Sequence, residues 1–269
     1  MPAAVANARM YSATPSAKAD WKQLLQWVLA QADLHWDVID YDAPAPLSVL
    51  WARDDLGLAL MCGLPFAQRD PRPTLIAAPL PSPARYGGKP VYFTDIAVRS
   101  DAWYRTLEDT FGGTVGFTLA DSMSGGVALR HHLQPYREAH VGRLYRAAVG
   151  NLIHARGVID ALASGCIDVG PLDSYSHDLL RAHEPAFAAQ VRTLASTAAL
   201  PIPPLVATRA LPHEELTRLR EALAAAATAP AMARVMERLL LLGFAFPDPG
   251  NYRPLAAMAA AATTPLEKF

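Results

Sequence analysis

The chain has 269 residues, of which 52% are hydrophobic and 18% charged, and its formal net charge is −1. This composition is typical of a soluble globular protein that is long enough for two lobes, and the absence of a basic run disfavours a nucleic-acid-binding surface. Proline, glycine or charge interrupts every apolar stretch well before the roughly 18 residues that a membrane-spanning helix needs. Two cysteines, Cys62 and Cys166, are too few to predict a disulfide framework, so we expect both to be reduced.

Strand and helix patterns alternate along the chain. The predicted helices are 20–32, 47–51, 102–110, the segment after Gly125, 156–163, 174–183, 214–227 and 230–242. The predicted strands are 8–11, 35–41, 56–61, 91–99, the segment around Gly116, 144–148, 167–172, 191–195 and 204–208, and residues 70–90 are predicted to form a proline-rich loop. Short strands separated by helices indicate an α/β fold with open, mostly parallel sheets.

The stretch from Val115 to Leu133 contains the most informative pattern. An apolar strand runs into the polar turn Asp121-Ser122-Met123-Ser124-Gly125-Gly126, which opens a helix. Asp121 or Ser122 is placed to cap the first helical turn, and the small residues leave further amides uncovered. Free amides at the positive end of a helix dipole form a site for an oxyanion. The alternative is an ordinary strand–helix connection with a serine cap.

Three further segments extend this pattern along the chain. They are the strand Tyr92-Phe-Thr-Asp-Ile-Ala-Val-Arg99, the Gly-x-x-Asp-Val segment from Gly165 to Asp173, and Pro201-Ile-Pro-Pro204. Together with the Asp-x-x-Ser-Gly turn at 121–125, they resemble the solute-binding proteins of phosphate, phosphite and phosphonate ABC importers, a branch of the type II periplasmic binding proteins. The resemblance covers most of the chain, from about residue 45 to residue 257.

The resemblance implies two α/β lobes joined by crossing strands near Tyr92–Ile96 and Pro203–Val206, with the ligand held between the lobes. Lobe I would comprise residues 1–93 and 204–269, and lobe II residues 94–203. It further implies a monomer without enzymatic activity, which binds a small anionic solute and delivers it to an ABC permease in the inner membrane.

Under this resemblance the turn at 121–126 supplies the main ligand contacts. Ser122 and Ser124 would donate hydroxyl and amide hydrogen bonds to the anion, and Gly125 would let the ligand approach the backbone. The alternative role of Gly125 is close packing between helix and sheet. Met123, an apolar residue between the two serines, leaves a carboxylate or an aromatic acid open as the ligand.

Four more residues are candidates for the site. Tyr11 and Tyr92 lie at strand ends, where a phenol donates one hydrogen bond, and the alternative for each is a packing tyrosine. Asp173 could accept the proton of a monoprotonated phosphate or bind an amine, and its alternative role is to cap the following helix. The family commonly has Gly-Ser-His before the helix at 156–163, whereas this chain has Asn151-Leu-Ile-His154, so His154 is the displaced counterpart of the family's histidine.

Location and chemistry leave a second function open. The family acts in the periplasm, but the first ten residues lack the basic start and apolar segment of a secretory signal, so a cytoplasmic protein is the alternative. A cytoplasmic enzyme or ligand sensor on the same fold, binding a small organic acid, is the corresponding function. Neither a nucleophile elbow, a Walker loop, a dinucleotide fingerprint nor metal-ligand spacing occurs in the sequence, so we predict no catalytic residue, cofactor or metal.

Overall fold

The computed structural model describes residues 4–269. The first three residues, which are part of the ten residues compared above with a secretory signal, lie outside the described residues. The chain forms two compact units. The first consists of the residues up to Val91 together with Pro201–Arg253, and the second consists of Tyr92–Leu200 and Pro254–Phe269. Of the helices within residues 4–269, none combines the length and the apolar character that crossing a membrane requires.

Short strands and helices alternate through both units. The strands are β1 Val5–Asn7, β2 Asp37–Val38, β3 Leu56–Leu60, β4 Thr74–Pro81, β5 Val91–Tyr92, β6 Thr94–Arg99, β7 Thr114–Gly116, β8 Ala147–Val149, β9 Gly170–Asp173, β10 Val191–Ser196, β11 Leu200–Pro201, β12 Leu205–Ala207 and β13 Leu241–Ala245. The α-helices are α1 Pro15–Gln31, α2 Leu47–Trp51, α3 Gly63–Gln68, α4 Ala128–Ala139, α5 Ala155–Ala163, α6 Ser174–His183, α7 Pro185–Ala188, α8 His213–Ala226, α9 Ala233–Arg238 and α10 Arg253–Ala261.

A six-stranded sheet, in the order β13-β4-β12-β3-β1-β2, forms the centre of the first unit. β1 is parallel to β2 and β3, whereas β12 is antiparallel to β3 and β4. The helix α1 buries the apolar face that its spacing predicts, with Trp21, Leu24 and Val28 inaccessible to solvent. It begins after Thr14, whose hydroxyl oxygen accepts the N–H of Ala17 at 3.0 Å.

The second unit contains two small sheets. β10, β6 and β9 form an antiparallel sheet in that order, while β7 and β8 pair in parallel. A single parallel bridge between Val115 and Val169 links the two sheets. A core of buried apolar side chains fills the unit, among them Ile96, Val115, Leu129 and Leu133.

The prediction of a loop at 70–90 is wrong, because the strand β4 occupies Thr74–Pro81. Prolines at 79 and 81 disfavour a central strand, since proline has no N–H to donate to a neighbour. The two halves of β4 resolve the conflict. Residues 74–77 pair with β12, whereas 78–81 pair with β13, so each proline has a strand neighbour on one side within the sheet.

The helix predicted at 102–110 is also wrong. This segment is irregular and ends in a 3-10 turn at Glu108–Thr110. Side chains take the backbone groups that a helix would pair: the guanidinium of Arg192 donates to the carbonyls of Ala102 and Tyr104. The carboxylate of Asp109 accepts the N–H groups of residues 105 and 106 at 2.7 and 2.8 Å. Tertiary partners therefore override local helix propensity here.

Two further predicted elements differ in type. The strand at 8–11 is a 3-10 turn, Arg9–Tyr11, that follows the shorter strand β1. The helix at 230–242 ends at Arg238 in α9, and the chain turns at Leu240, where φ is +53°, into the strand β13. A residue at positive φ cannot continue a helix, which explains the early end.

The C-terminal residues 254–269 belong to the second unit, whereas the sequence-based division placed them in the first lobe. Leu266 and Phe269 are buried in the core of the second unit. The buried guanidinium of Arg130 donates to the carbonyl of Ala262 at 3.1 Å, and Tyr145 N–H donates to Phe269 O at 3.0 Å. Apolar burial and these hydrogen bonds hold the tail on the second unit.

Candidate functional site

Three strands of the second unit, β7, β8 and β9, end at one edge, and each is followed by a helix. β7 and β8 are parallel in register, with Val115 opposite Ala148, and the bridge from Val115 to Val169 aligns the chain entering β9 in the same direction. A helix begins after each of these strands. We call this edge, where β7, β8 and β9 end, the carboxyl edge. Ligands of open α/β sheets bind at such edges, because helix N-termini meet there.

The first connection contains Ser122 and Ser124. Ser122 caps a π-helical turn at Met123–Val127, which leads into α4, and its hydroxyl oxygen accepts the N–H of Gly125 at 3.2 Å. The carbonyl of Ser122 accepts the N–H groups of residues 126 and 127. Among the hydrogen bonds of residues 4–269, none engages the N–H of Met123 or Ser124. These two amides are therefore available to an anion at the positive end of the helix.

The sequence predicts that Met123 binds the ligand. Its side chain is fully buried, so only its backbone N–H is available for that contact. Gly125 packs closely against the preceding strand end. A Cβ at this position would lie 1.7 Å from Oγ1 of Thr118, and Thr118 N–H donates to Gly125 O at 3.1 Å. Since Ser122 already takes the N–H of Gly125, close packing accounts for the glycine.

Gly125→Ala is expected to lower the free energy of unfolding by about 1–3 kcal/mol, because the added methyl group overlaps Thr118 in a packed interior. Chemical denaturation would measure the change. Gly142→Ala is a useful comparison, since a Cβ there meets no atom within 4 Å, although its φ of +99° adds backbone strain. Partial restoration of stability in the double variant Gly125→Ala/Thr118→Ala, which removes Oγ1, would support the overlap. A stability of Gly125→Ala equal to that of the wild type would contradict it.

Thr94 connects the serine turn with the end of β9. Its side chain is buried, and its hydroxyl donates to the carbonyl of Ser124 at 2.9 Å. In the sheet, Thr94 lies opposite Asp173. Ser124 and Asp173 are thus both adjacent to Thr94, which brings two predicted site residues together. The motif at 92–99 indicates the fold, but it does not show that Thr94 connects Ser124 with Asp173.

Asp173 caps the third helix, α6. Its Oδ1 accepts the N–H of Ser176 at 2.9 Å, which is the capping role that the sequence left open. Burial raises the pKa of Asp173 to about 7, and the charge of Asp95 acts in the same direction, while hydrogen bonds from the amides of residues 175 and 176 oppose the shift. Near neutral pH this carboxyl group can therefore either donate or accept a hydrogen bond.

Asp173→Asn tests this assignment, because asparagine preserves the helix cap and removes the ionisation. An aspartate whose pKa is raised on folding stabilises the fold below its unfolded pKa, and this contribution is lost as pH rises through the folded pKa. Between pH of about 4 and about 7, the wild type should therefore lose stability relative to the variant. Urea unfolding of both proteins across this range measures the difference, and parallel curves would contradict the raised pKa.

A buried polar cluster lies next to this edge. Asp95 and His177 are both inaccessible to solvent, and Oδ2 of Asp95 lies 3.0 Å from Nδ1 of His177. The hydroxyl of Ser196 donates to Oδ1 of Asp95 at 2.8 Å. The cluster joins β6, α6 and β10, so it fixes α6 against the strand that carries Thr94. Sequence reasoning missed it, because its three members are far apart in the chain.

His154 caps the second helix, α5. Its Nδ1 accepts the N–H of Gly157 at 3.1 Å, so the hydrogen of the neutral ring is on Nε2, and the side chain is exposed. The nearby guanidinium of Arg156 pairs with Glu184 at 2.6 Å and lies over the ring of Phe187. At this connection His154 therefore has a free ring nitrogen for a ligand, whereas Arg156 is engaged elsewhere.

Tyr11 and Tyr92 are both almost completely buried. Tyr11 ends the 3-10 turn that follows β1 in the first unit, and Tyr92 ends β5 at the start of the second unit. Tyr92 therefore lies at a strand end as the sequence predicts, whereas Tyr11 lies four residues beyond the end of β1. Each has the large buried ring of a packing residue.

Comparison with solved structures places the chain among known folds. It aligns with a binding-protein component of a phosphonate ABC transporter from Pseudomonas aeruginosa at a TM-score of 0.78 and 18% identity, over 97% of this chain and 87% of that one. A Prochlorococcus marinus protein in complex with methylphosphonate aligns at 0.79 and 13%, over 96% and 97%. A Xanthomonas citri protein bound to ATP aligns at 0.65 and 21%, over 97% of both chains. No curated protein matches the sequence significantly.

The strand order, the helix termini at the carboxyl edge and these alignments define a protein of the type II periplasmic-binding-protein class, which confirms the expected α/β fold. The expectation of mostly parallel sheets is wrong, because β12, β13 and the strands beside β6 pair antiparallel. The sequence also matches the family model for the periplasmic substrate-binding protein of phosphonate ABC transporters over residues 11–252. The chain belongs to this family, so the resemblance stated from its motifs is confirmed and its role is that of a solute-binding protein.

Proposed function

We propose that the chain binds a small oxyanion of the phosphonate or phosphate type at the carboxyl edge of its second unit and supplies it to an ABC permease. The observation that carries this proposal is the pair of unengaged amides at Met123 and Ser124, at the start of a helix and next to Asp173 across Thr94. Such amides replace water around an anion without adding a competing charge.

The proposed roles of the individual residues follow from their present partners. Ser124 contributes its N–H and hydroxyl, and Ser122 acts through the cap that orders the turn. Asp173 shares a proton with a partly protonated anion, and Nε2 of His154 donates from the second helix. The family is one of transporter substrate-binding proteins, so we propose binding without catalysis.

Tyr92 ends β5 at the start of the second unit, and we propose that its phenol group contacts the bound ligand. Tyr11 lies in the first unit, and its role in binding stays a prediction from the sequence. Delivery to a permease from the outside requires a periplasmic location, which we propose for the native protein on the strength of its family.

A thermal-shift screen tests the proposal. Ligand present at about 100 times its Kd stabilises the folded state by about 2.7 kcal/mol, which for a chain of this size corresponds to roughly 5–10 °C in Tm. Phosphate and methylphosphonate are expected to produce such a shift, and sodium chloride at matched ionic strength is not. If no oxyanion raises Tm above the salt control, the proposed function is wrong.

A further inference from the structure

Thr94 lies between two of the helix starts that the proposed site uses. Its side chain is 1% exposed, and its hydroxyl donates to the carbonyl of Ser124, within the serine turn at 122–127, at 2.9 Å. In the sheet Thr94 is directly opposite Asp173. Side chains directly opposite each other in antiparallel strands lie on the same face, with Cβ atoms about 5 Å apart. One buried side chain therefore contacts the serine turn and adjoins the residue that caps α6.

The backbone of Thr94 is fixed on both sides. Its N–H donates to Oγ1 of Thr197 at 3.0 Å, and its carbonyl accepts the N–H of Thr197, also at 3.0 Å. On the other side, β6 is paired with β9. A residue held in this way cannot shift without breaking several backbone hydrogen bonds at once. The hydroxyl of Thr94 therefore reaches Ser124 from a rigid base, which is what a precise binding site requires.

The serine turn is held by donors from outside the helix. Residues 123–127 form a π-helical turn, a rare conformation that is frequent at functional sites. The carbonyl of Ser124 accepts the hydroxyl of Thr94, and the next carbonyl, that of Gly125, accepts the N–H of Thr118 at 3.1 Å. These two bonds hold consecutive carbonyls, so they set the orientation of the peptide planes that follow Ser124.

The same strand segment holds α6 through its other residues. Asp95 points to the opposite face of the sheet, because side chains alternate along a strand, and there it lies 3.0 Å from His177 of α6. Phe93 N–H donates to Oγ of Ser174, and Ser174 N–H donates to Phe93 O, each at 3.0 Å. The segment 93–95 thus fixes the start of α6 independently of the threonine hydroxyl.

We infer that Thr94 is a positioning residue of the anion site: by holding the carbonyl of Ser124 on a rigid strand, its hydroxyl directs the N–H groups of residues 123 and 124 to the ligand. A threonine hydroxyl has one hydrogen to donate, and the carbonyl of Ser124 takes it. Thr94 therefore acts on the anion through Ser124. This inference rests on the proposed function and adds to it the residue that orients its amides.

Thr94→Val tests the inference, because valine has nearly the shape of threonine but lacks the hydroxyl. Calorimetric titration of the full chain with methylphosphonate should show a roughly 2- to 12-fold loss of affinity, the range that one neutral hydrogen bond contributes. Thr94→Ser keeps the donor and should bind within about twofold of the wild type. In the nitrogen–proton correlation spectrum of the unliganded chain, Thr94→Val should shift the amide signals of residues 123–125 more than Thr94→Ser does.

Thr110→Val is the matched control. Thr110 is also 1% exposed and belongs to the second unit, and its hydroxyl likewise donates to a backbone carbonyl, that of Leu107, at 2.6 Å. It precedes β7, at the end of that strand away from the carboxyl edge. Thr110→Val should therefore lower stability, as the loss of a buried donor does, and leave the affinity for methylphosphonate unchanged.

Three results would overturn the inference while leaving anion binding intact. They are an affinity of Thr94→Val equal to that of the wild type, an affinity of Thr94→Ser as low as that of Thr94→Val, and an equal loss of affinity in Thr110→Val. If valine prevents folding, Thr94→Ala removes the same donor and takes its place in the comparison. If the wild type binds neither methylphosphonate nor phosphate, the proposed function fails, and the inference fails with it.

Discussion

Asp95→Ala is expected to lower the free energy of unfolding by about 1–3 kcal/mol, the cost of leaving a buried polar group without its hydrogen-bond partner. The carboxylate of Asp95 is inaccessible to solvent and lies against both His177 and Ser196. Without it, the buried ring of His177 and the hydroxyl of Ser196 lose their partner, and an alanine cannot replace either interaction. Chemical denaturation monitored by circular dichroism measures the loss.

Asp101→Ala is the matched control for this experiment. Asp101 pairs with Arg99, but its side chain is 72% exposed, so its removal should cost less than about 1 kcal/mol. Equal effects of the two substitutions would show that the Asp95 cluster contributes no more than a surface pair. A large loss for Asp95→Ala, with partial recovery in Asp95→Asn, would support hydrogen bonding as the cause, because asparagine can still accept a hydrogen bond from Ser196.

Ser124→Ala is expected to weaken binding of the preferred anion by about 1–3 kcal/mol, which corresponds to a loss of affinity of roughly 5- to 150-fold. The carbonyl of Ser124 is held by Thr94, whereas its hydroxyl makes no hydrogen bond within residues 4–269. The substitution therefore removes a donor without disturbing the turn. Calorimetric titration with methylphosphonate measures the change.

Ser164→Ala provides the comparison for Ser124→Ala. Ser164 lies at the opposite end of α5, where its hydroxyl donates to the carbonyl of Ala161 at 3.2 Å, so its removal should leave affinity unchanged. Ser122→Ala should lower both stability and affinity, because its hydroxyl oxygen accepts the N–H of Gly125. An affinity of Ser124→Ala equal to that of the wild type would remove this hydroxyl from the proposed site.

Local patterns predicted the helices with strong amphipathic spacing and the turns with clear caps. Helix α6 begins and ends where its pattern predicts, at Ser174 and His183, because Asp173 caps it and its apolar residues recur at helical spacing. The segment 102–110 has a similar apolar pattern, yet Asp109 and Arg192 take its backbone groups. Asp109 lies within the segment, but no signal near it reveals Arg192, which is about ninety residues away in the chain.

The proposed site likewise contains residues that local patterns predict and residues whose roles depend on distant parts of the chain. Ser122, Ser124 and Asp173 were found from the sequence because each directly precedes or opens a helix. Thr94 and the Asp95 cluster were not, since their roles depend on strand pairing: Thr94 reaches Ser124 only because β6 lies beside β9 and the serine turn.

The sequence by itself determined the family, the α/β class and the helix starts that we propose to offer amides to an anion, because motifs, apolar spacing and caps act over a few neighbouring residues. Only the tertiary structure decided the remainder: the strand β4, the tail on the second unit, the buried partner of Asp95 and the raised pKa of Asp173. Each of these depends on pairing or burial between residues far apart in the chain, and such energies appear only when the chain is folded.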